Sequence, residues 1–367
     1  MPDVKDIFAK MVEGKGSDLF IKLGAVPHFR SAGSVKEIDF PVITQEMINE
    51  LYTMIADERV KKIFDHEGAA DTAYELQGIG RFRTNIYRQK GSIAFCFRHV
   101  QSNIPQLESL HLPTETIKKL AELRRGMVLV TGTTGSGKST TLAAMLNYVN
   151  LNFPKHIVTV EDPIEFLFYD KKSIVEQREL GVDTYSFSNA LKHVVRENPD
   201  TIMIGEMRDV ETVESAMKAA ETGHLVLSTL HTLNCTQTVE RIINFFPPHQ
   251  HEFLCQQMSI LLQGVCSMRL VKSKDGMSRV PAIEIMTNTP TIQELLFTRK
   301  TRDLYKSIKE GKYFGCQTFN QSLRSLIEQD LVSVEEALAS SDNPDELKLE
   351  LRGISKGSKT GDFKFDI

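Results

Sequence analysis

The residues best suited to chemistry lie in one run, Gly132-Thr133-Thr134-Gly135-Ser136-Gly137-Lys138-Ser139-Thr140, which matches the pattern G-x-x-x-x-G-K-[ST] in full. Glycines at these places let the backbone wrap a phosphate with its N–H groups pointing inward. An apolar, strand-like stretch over residues 127–131 precedes the run, and a helix-compatible stretch over 139–148 follows it. The start of that helix adds partial positive charge. The pattern predicts a nucleoside triphosphate site lined by Thr133, Thr134, Gly135, Ser136, Gly137, Lys138, Ser139 and Thr140. Lys138 reaches the β- and γ-phosphates and Ser139 ligates Mg²⁺.

Hydrolysis further requires a base or polariser for water and carboxylates near the metal. Val160-Glu161-Asp162-Pro163-Ile164-Glu165 sets three carboxylates at the end of a β-type run, and Thr201-Ile202-Met203-Ile204-Gly205-Glu206 is an apolar strand ending in glycine and a carboxylate. The ends of parallel strands are where an α/β sheet gathers its chemistry. Two histidines, His224 and His231, bracket another strand-like run. A strand between them holds them about 20 Å apart, which suits sensing of phosphate or subunit state better than a shared metal. Arg81, Arg83, Arg88 and Arg98 cluster upstream, with Arg81 and Arg83 on one face of a strand. They are either a solvated basic face or arginines that neutralise γ-phosphate charge at a domain or subunit junction.

These residues need elements to position them. The first hundred residues read as a small α+β domain: a helix around Ile7, Phe8, Met11 and Val12, short strands near residues 18–22 and 28–31, a helix over 44–65, and strands over 80–87 and 92–100. Prolines and polar residues over 101–115 suggest a linker. From residue 116 short apolar strands (127–131, 156–160, 201–204, 225–228) alternate with helical patterns, which predicts a parallel sheet covered on both faces. From about Pro247 the pattern is mostly helical, and residues 353–367 read as a loose tail.

The chain has 367 residues, enough for about two domains. Lys plus Arg is 44 and Asp plus Glu is 48, so the net charge is 44 − 48 = −4. With no basic stripe interleaved with aromatics, a nucleic-acid motor is disfavoured. No run approaches a membrane span and the start is unlike a signal peptide. The five cysteines include no Cys-x-x-Cys pair, so neither a zinc ribbon nor a disulfide scaffold is expected. The composition reads as a reduced, cytosolic protein.

Taken together, the phosphate loop, the Glu161–Glu165 acidic box, Ile204-Gly205-Glu206-Met207-Arg208-Asp209 and the stretch from Ala220-Glu221-Thr222-Gly223-His224 to Thr229-Leu230-His231 resemble the hexameric motor ATPases of type II secretion and type IV pili. The resemblance spans nearly the whole chain and is nearest to the pilus retraction ATPases, the PilT/PilU group. It implies a PAS-like first domain and a RecA-like P-loop ATPase domain whose C-terminal part is mostly helical. It also implies ATP and Mg²⁺ as cofactors, Glu206 as catalytic glutamate, and Glu165 assisting at the metal and water. Glu161 and Asp162 stand beside Ser139 at Mg²⁺, and Arg81, Arg83 and Arg98 fall in arginine-bearing strands. The implied assembly is a homohexamer in the cytoplasm, peripheral to the inner membrane, acting on a platform protein there. The missing four-cysteine module and the immediate start of the first domain favour retraction over assembly. The region Gln293-Glu294-Leu295-Leu296-Phe297-Thr298-Arg299-Lys300, followed by residues 304–311, departs from the PilT-type helix Ala-Ile-Arg-Asn-Leu-Ile-Arg-Glu and leans towards the PilU-like subgroup. Two alternatives stay open: a pilus assembly or type II secretion ATPase, and a nucleotide-gated accessory subunit of a partner retraction motor.

Overall fold

The computed structural model describes residues 3–353 and divides into two compact units. The first comprises the N-terminal region through Asn103, together with Pro163–Leu167 and Glu179–Tyr185. Its elements are α1 (Lys5–Glu13), β1 (Asp18–Lys22), β2 (His28–Ser31), β3 (Ser34–Glu37), α2 (Gln45–Ile55), α3 (Glu58–Glu67), β4 (Ala69–Leu76), β5 (Gly80–Gln89) and β6 (Ser92–His99). The strands form one antiparallel sheet in the order β3-β2-β1-β6-β5-β4. Along β5 the period of two is strict: Phe82, Thr84 and Ile86 are buried, while Arg81, Arg83 and Asn85 share the other face. Phe8 of α1 packs edge-on against Phe82 and Phe97.

The single helix expected over 44–65 is two. Ala56 is extended, and the Asp57 carboxylate accepts from Val60 N–H (2.7 Å), starting α3 afresh. β3 and β4, at the two edges of the sheet, are strands beyond those expected.

The second unit contains α4 (Thr114–Ala121), β7 (Gly126–Gly132), α5 (Lys138–Asn152), β8 (His156–Glu161), β9 (Ile174–Glu179, all but its last residue), α6 (Phe187–Val194), β10 (Thr201–Ile204), α7 (Val210–Glu221), β11 (Leu225–Leu230), α8 (Cys235–Phe245), α9 (His251–Leu261), β12 (Leu262–Lys272) and β13 (Arg279–Thr287). Five short helices follow: α10 (Pro290–Phe297), α11 (Leu304–Glu310), α12 (Phe319–Glu328), α13 (Val334–Ser340) and α14 (Pro344–Leu351). The sheet order is β13-β12-β7-β11-β10-β8-β9, with β12, β7, β11, β10 and β8 parallel. Strands β7, β10 and β11 are buried along their full length, so they read as continuous apolar runs. Ahead of α4, residues 107–110 make a 3₁₀ turn, and Leu107 and Leu112 lie in the core of this unit.

β12 and β13 lie in the stretch expected to be mostly helical. β12 is packed on both faces over Gly264–Ser267, so it lacks the alternation that marks a strand. The helices after β13 do follow the expected stripe, with Phe319, Leu323, Leu326 and Ile327 buried together. All but the first residue of the stretch read as a loose tail lies outside the described residues.

Candidate active site

Within the parallel sheet, β7, β8, β10 and β11 all end on the same edge. β7 runs into the phosphate loop, β8 ends in Glu161, Glu206 follows β10 by one residue, and His231 directly follows β11. The loop backbone is one that L side chains rarely adopt: φ is +146° at Gly132, +76° at Gly135 and +97° at Gly137. At Gly132 a Cβ would lie 2.4 Å from both the Met268 carbonyl oxygen and Ser136 Oγ. Nothing lies within 4 Å of the Cβ position at Gly135. Gly137 leads directly into α5, whose first residues are Lys138 and Ser139.

Lys138 is buried, and its ammonium donates to the carbonyls of Gly132 and Thr133, both at 2.9 Å. The Ser136 hydroxyl is buried without a hydrogen-bond partner. A buried donor left in this way inside a ring of glycines, at a helix start, is what a polyanion with several acceptor oxygens satisfies. The residues present therefore fit a nucleotide's phosphates. Thr133, Thr134 and Gly135 are exposed, and Ser139 and Thr140 are half-buried.

The acidic groups sort by environment. Glu161 is buried, and its Oε1 accepts from Thr159 Oγ1 (2.6 Å) and Gln177 Nε2 (3.0 Å). Asp162 is exposed and lies 3.3 Å from Arg208 Nη1. Glu206 is half-buried: Arg208 Nε donates to Oε2 (2.8 Å), and His231 Nε2 lies 3.3 Å from Oε1. The hydrogen bond to Glu206 raises the pKa of the Arg208 guanidinium further, fixing its charge. The next residue, Asp209, is spent on capping: its carboxylate accepts from Thr212 N–H (2.8 Å) and starts α7. β11 is tied to this loop by Thr229 Oγ1 donating to the Gly205 carbonyl (2.7 Å) and by Met207 N–H donating to the Thr229 carbonyl.

The structure thus gathers the phosphate loop, Glu161, Asp162, Glu206 and His231 in the second unit. His224 sits at the opposite end of β11, its Nδ1 held by the Ala219 carbonyl (2.9 Å) and Thr222 Oγ1 (3.1 Å). Glu165 is exposed and belongs to the first unit. In that unit Arg81 pairs with Glu179 (3.0 Å), whose side chain is 5% exposed, and Arg98 pairs with Asp18 (2.8 Å). Arg83 stands directly across from Arg98 and, among the described residues, has no carboxylate partner. Sequence reasoning gave Arg208 no role. Its signal was an opposite charge two residues after Glu206, but only the fold shows that it bridges two acidic segments. Among the described residues no group of three or more His, Cys, Asp or Glu is arranged to hold a metal by itself.

The family model for "Type II/IV secretion system protein" matches residues 94–348. In Pseudomonas aeruginosa, the type IV pilus ATPase PilU is 40% identical over 93% of this chain and 89% of its own length. The type IV pilus retraction ATPase PilT of the same organism is also 40% identical, over 91% of this chain and 97% of its own. A crystal structure described as the pilus retraction motor PilT with bound ADP superposes with a TM-score of 0.86 at 40% identity, covering 95% of this chain and 99% of that one. The chain belongs to this family of secretion and pilus ATPases. The expected RecA-like ATPase fold with a smaller N-terminal domain stands. Among the described residues no helix of this ATPase is long and apolar enough to cross a membrane.

Proposed function

We propose that this ATPase is a motor that powers disassembly of type IV pili, working as a ring of six copies in the cytoplasm against an inner-membrane platform protein. The observation that carries the chemistry is the Glu206 carboxylate, held between Arg208 and His231 on the strand edge that also bears the phosphate loop. The names and lengths of the PilT and PilU relatives support the choice of pilus retraction.

In this reading the amides of Thr133 through Ser139 bind the phosphates, and Lys138 exchanges its two loop carbonyls for phosphate oxygens. Ser139, with Glu161 and Asp162 directly or through water, would hold Mg²⁺. When bound, Mg²⁺ neutralises charge on the β- and γ-phosphates. Glu206 accepts the proton of the attacking water, and its two partners fix which oxygen faces that water. Glu165 assists in placing the water. Arg81, Arg83 and Arg98 are the candidates for γ-phosphate neutralisation by a neighbouring copy, and Arg83 is the one not engaged by a carboxylate. ATP favours one ring state by its differential affinity, and hydrolysis releases that preference.

The test is sheared surface pili from a deletion strain rescued with wild type or with Glu206→Gln, alongside ATP turnover of each purified protein. Expected are excess pili in the deletion and in the Glu206→Gln rescue, ATP binding retained, and turnover lowered by about 10²–10⁴-fold. Loss of pili would make the chain an assembly motor. Normal turnover in Glu206→Gln would remove Glu206 from the role of base.

A further inference from the structure

A buried path of hydroxyl groups joins the root of the phosphate loop to the loop bearing His231. Thr131 directly precedes Gly132, and Thr232 directly follows His231. Both are buried, as are Thr238 in α8 and Ser267 in β12. Thr232 Oγ1 lies 2.7 Å from Thr238 Oγ1, Thr238 Oγ1 lies 3.3 Å from Thr131 Oγ1, and Thr131 Oγ1 lies 2.7 Å from Ser267 Oγ. The Ser267 hydroxyl donates to Cys235 Sγ (3.6 Å), and the Cys235 thiol donates to the Val265 carbonyl (3.4 Å). Each hydroxyl has one proton to give. Donation in a single direction, from Thr232 through Thr238, Thr131, Ser267 and Cys235 to the Val265 carbonyl, satisfies every group on the path.

Valine has nearly the same shape as threonine and brings no polar group into a core. Three threonines and a serine on one line between two loops of the site are therefore a polar device, worth its burial only when fully connected. Its joint is Thr238. That hydroxyl has a second acceptor, the Asn234 carbonyl one helical turn back, at 2.8 Å. One proton faces two acceptors, and the contact towards the phosphate loop is the longer. The helix behind the joint is anchored. Cys235 N–H donates to Glu284 Oε1 (2.8 Å), and Gln237 N–H donates to Asn234 Oδ1 (2.8 Å). The path thus connects Thr131 through Thr238 to Thr232, the neighbour of His231, whose Nε2 lies 3.3 Å from Glu206 Oε1.

We propose that Thr238 is a positioning residue that couples occupancy of the phosphate loop to the order of the His231 loop. The binding step needs only the phosphate loop; the consequence for Glu206 rests on the ATPase reading above. The test is backbone hydrogen exchange of the full chain with and without a non-hydrolysable ATP analogue, followed over residues 132–140 and 231–235, with kcat and KM for ATP measured in parallel. In wild type and Thr238→Ser the analogue slows exchange in both segments. In Thr238→Val it slows exchange only in the phosphate loop, and kcat falls about tenfold with KM within about twofold. Thr232→Val, which removes the next hydroxyl on the path, gives the same pattern and serves if Thr238→Val folds poorly. The proposal is overturned by wild-type protection of 231–235 in Thr238→Val, by no protection there in wild type, or by Thr238→Ser behaving as Val does. A wild type protected in both segments yet unable to turn over ATP refutes the hydrolytic reading and supports the coupling.

Discussion

Removing Arg208 tests whether the Glu206 carboxylate is positioned or merely present. Arg208 Nε holds Glu206 Oε2 at 2.8 Å and Nη1 reaches Asp162 Oδ2 at 3.3 Å, while His231 Nε2 lies 3.3 Å from the other Glu206 oxygen. The Arg208 side chain is 58% exposed, so its ion pairs are screened and contribute about 0.5 kcal/mol to stability. In a domain of this size that moves Tm by only about 1–2 °C. Catalysis responds differently. With Arg208→Ala the carboxylate keeps one neighbour and gains freedom about its terminal torsion, which is broad and two-fold. A misplacement of about 1 Å at a reacting group costs about 10²-fold in rate, or ~2.7 kcal/mol of barrier. The disparity between a small loss of stability and a large loss of turnover is the signature of positioning. Arg208→Lys restores charge but not the planar fork that reaches Glu206 and Asp162 together, so it recovers kcat only in part. The assay is steady-state phosphate release with Tm measured on the same samples. A kcat within about twofold of wild type in Arg208→Ala, or a Tm drop above about 5 °C alongside the rate loss, would refute the reasoning.

Two further predictions follow from local geometry. Gly132→Ala sets a Cβ 2.4 Å from the Met268 carbonyl at a φ of +146°, so the loop must distort. ATP affinity measured by calorimetry should fall at least about tenfold, and unchanged affinity would show that the loop relaxes freely. Glu284 is buried in β13, and burial raises its carboxyl above the usual value of 4.5, against the opposing pull of the Cys235 N–H and Arg269. A raised carboxyl binds its proton more tightly folded than unfolded, so its cost to stability grows as pH rises from about 4.5 through the raised value. Glu284→Gln keeps an acceptor for Cys235 N–H and lacks that cost. Its Tm advantage over wild type should therefore widen from pH 4.5 towards neutrality, and a constant difference would place the ionisation elsewhere.

Much of the second unit was legible because its strands are short, apolar and buried on both faces. Residues 201–204 form an apolar run that ends in a glycine and a carboxylate, and the phosphate-loop residues match their pattern in full. β12 was hidden for the same reason that β10 was visible. Both lack alternation, but β12 follows α9 without a turn residue, so its apolar run reads on from the helix. The break between α2 and α3 was equally silent, since Asp57 within a helical pattern becomes a cap only when the chain turns. In the first unit β5 and β6 showed themselves, while the edge strand β3 is exposed at all four residues and has no apolar period to read.

By itself the sequence determined which groups could do the chemistry: a phosphate loop, carboxylates at strand ends, histidines flanking a strand, and arginines in a sheet. Those signals are local, because a glycine cradle and a strand terminus are encoded by neighbours in the chain. Which groups meet was decided only by the fold. Parallel pairing sets β8, β10 and β11 side by side, and this brings Arg208 between Asp162 and Glu206, places His231 against Glu206, and leaves His224 at the far end of the same strand. It also threads Thr131, Thr238 and Thr232 onto one path, although more than a hundred residues separate the first from the other two. Contacts of that range depend on strand order and register, which local spacing in a chain does not carry.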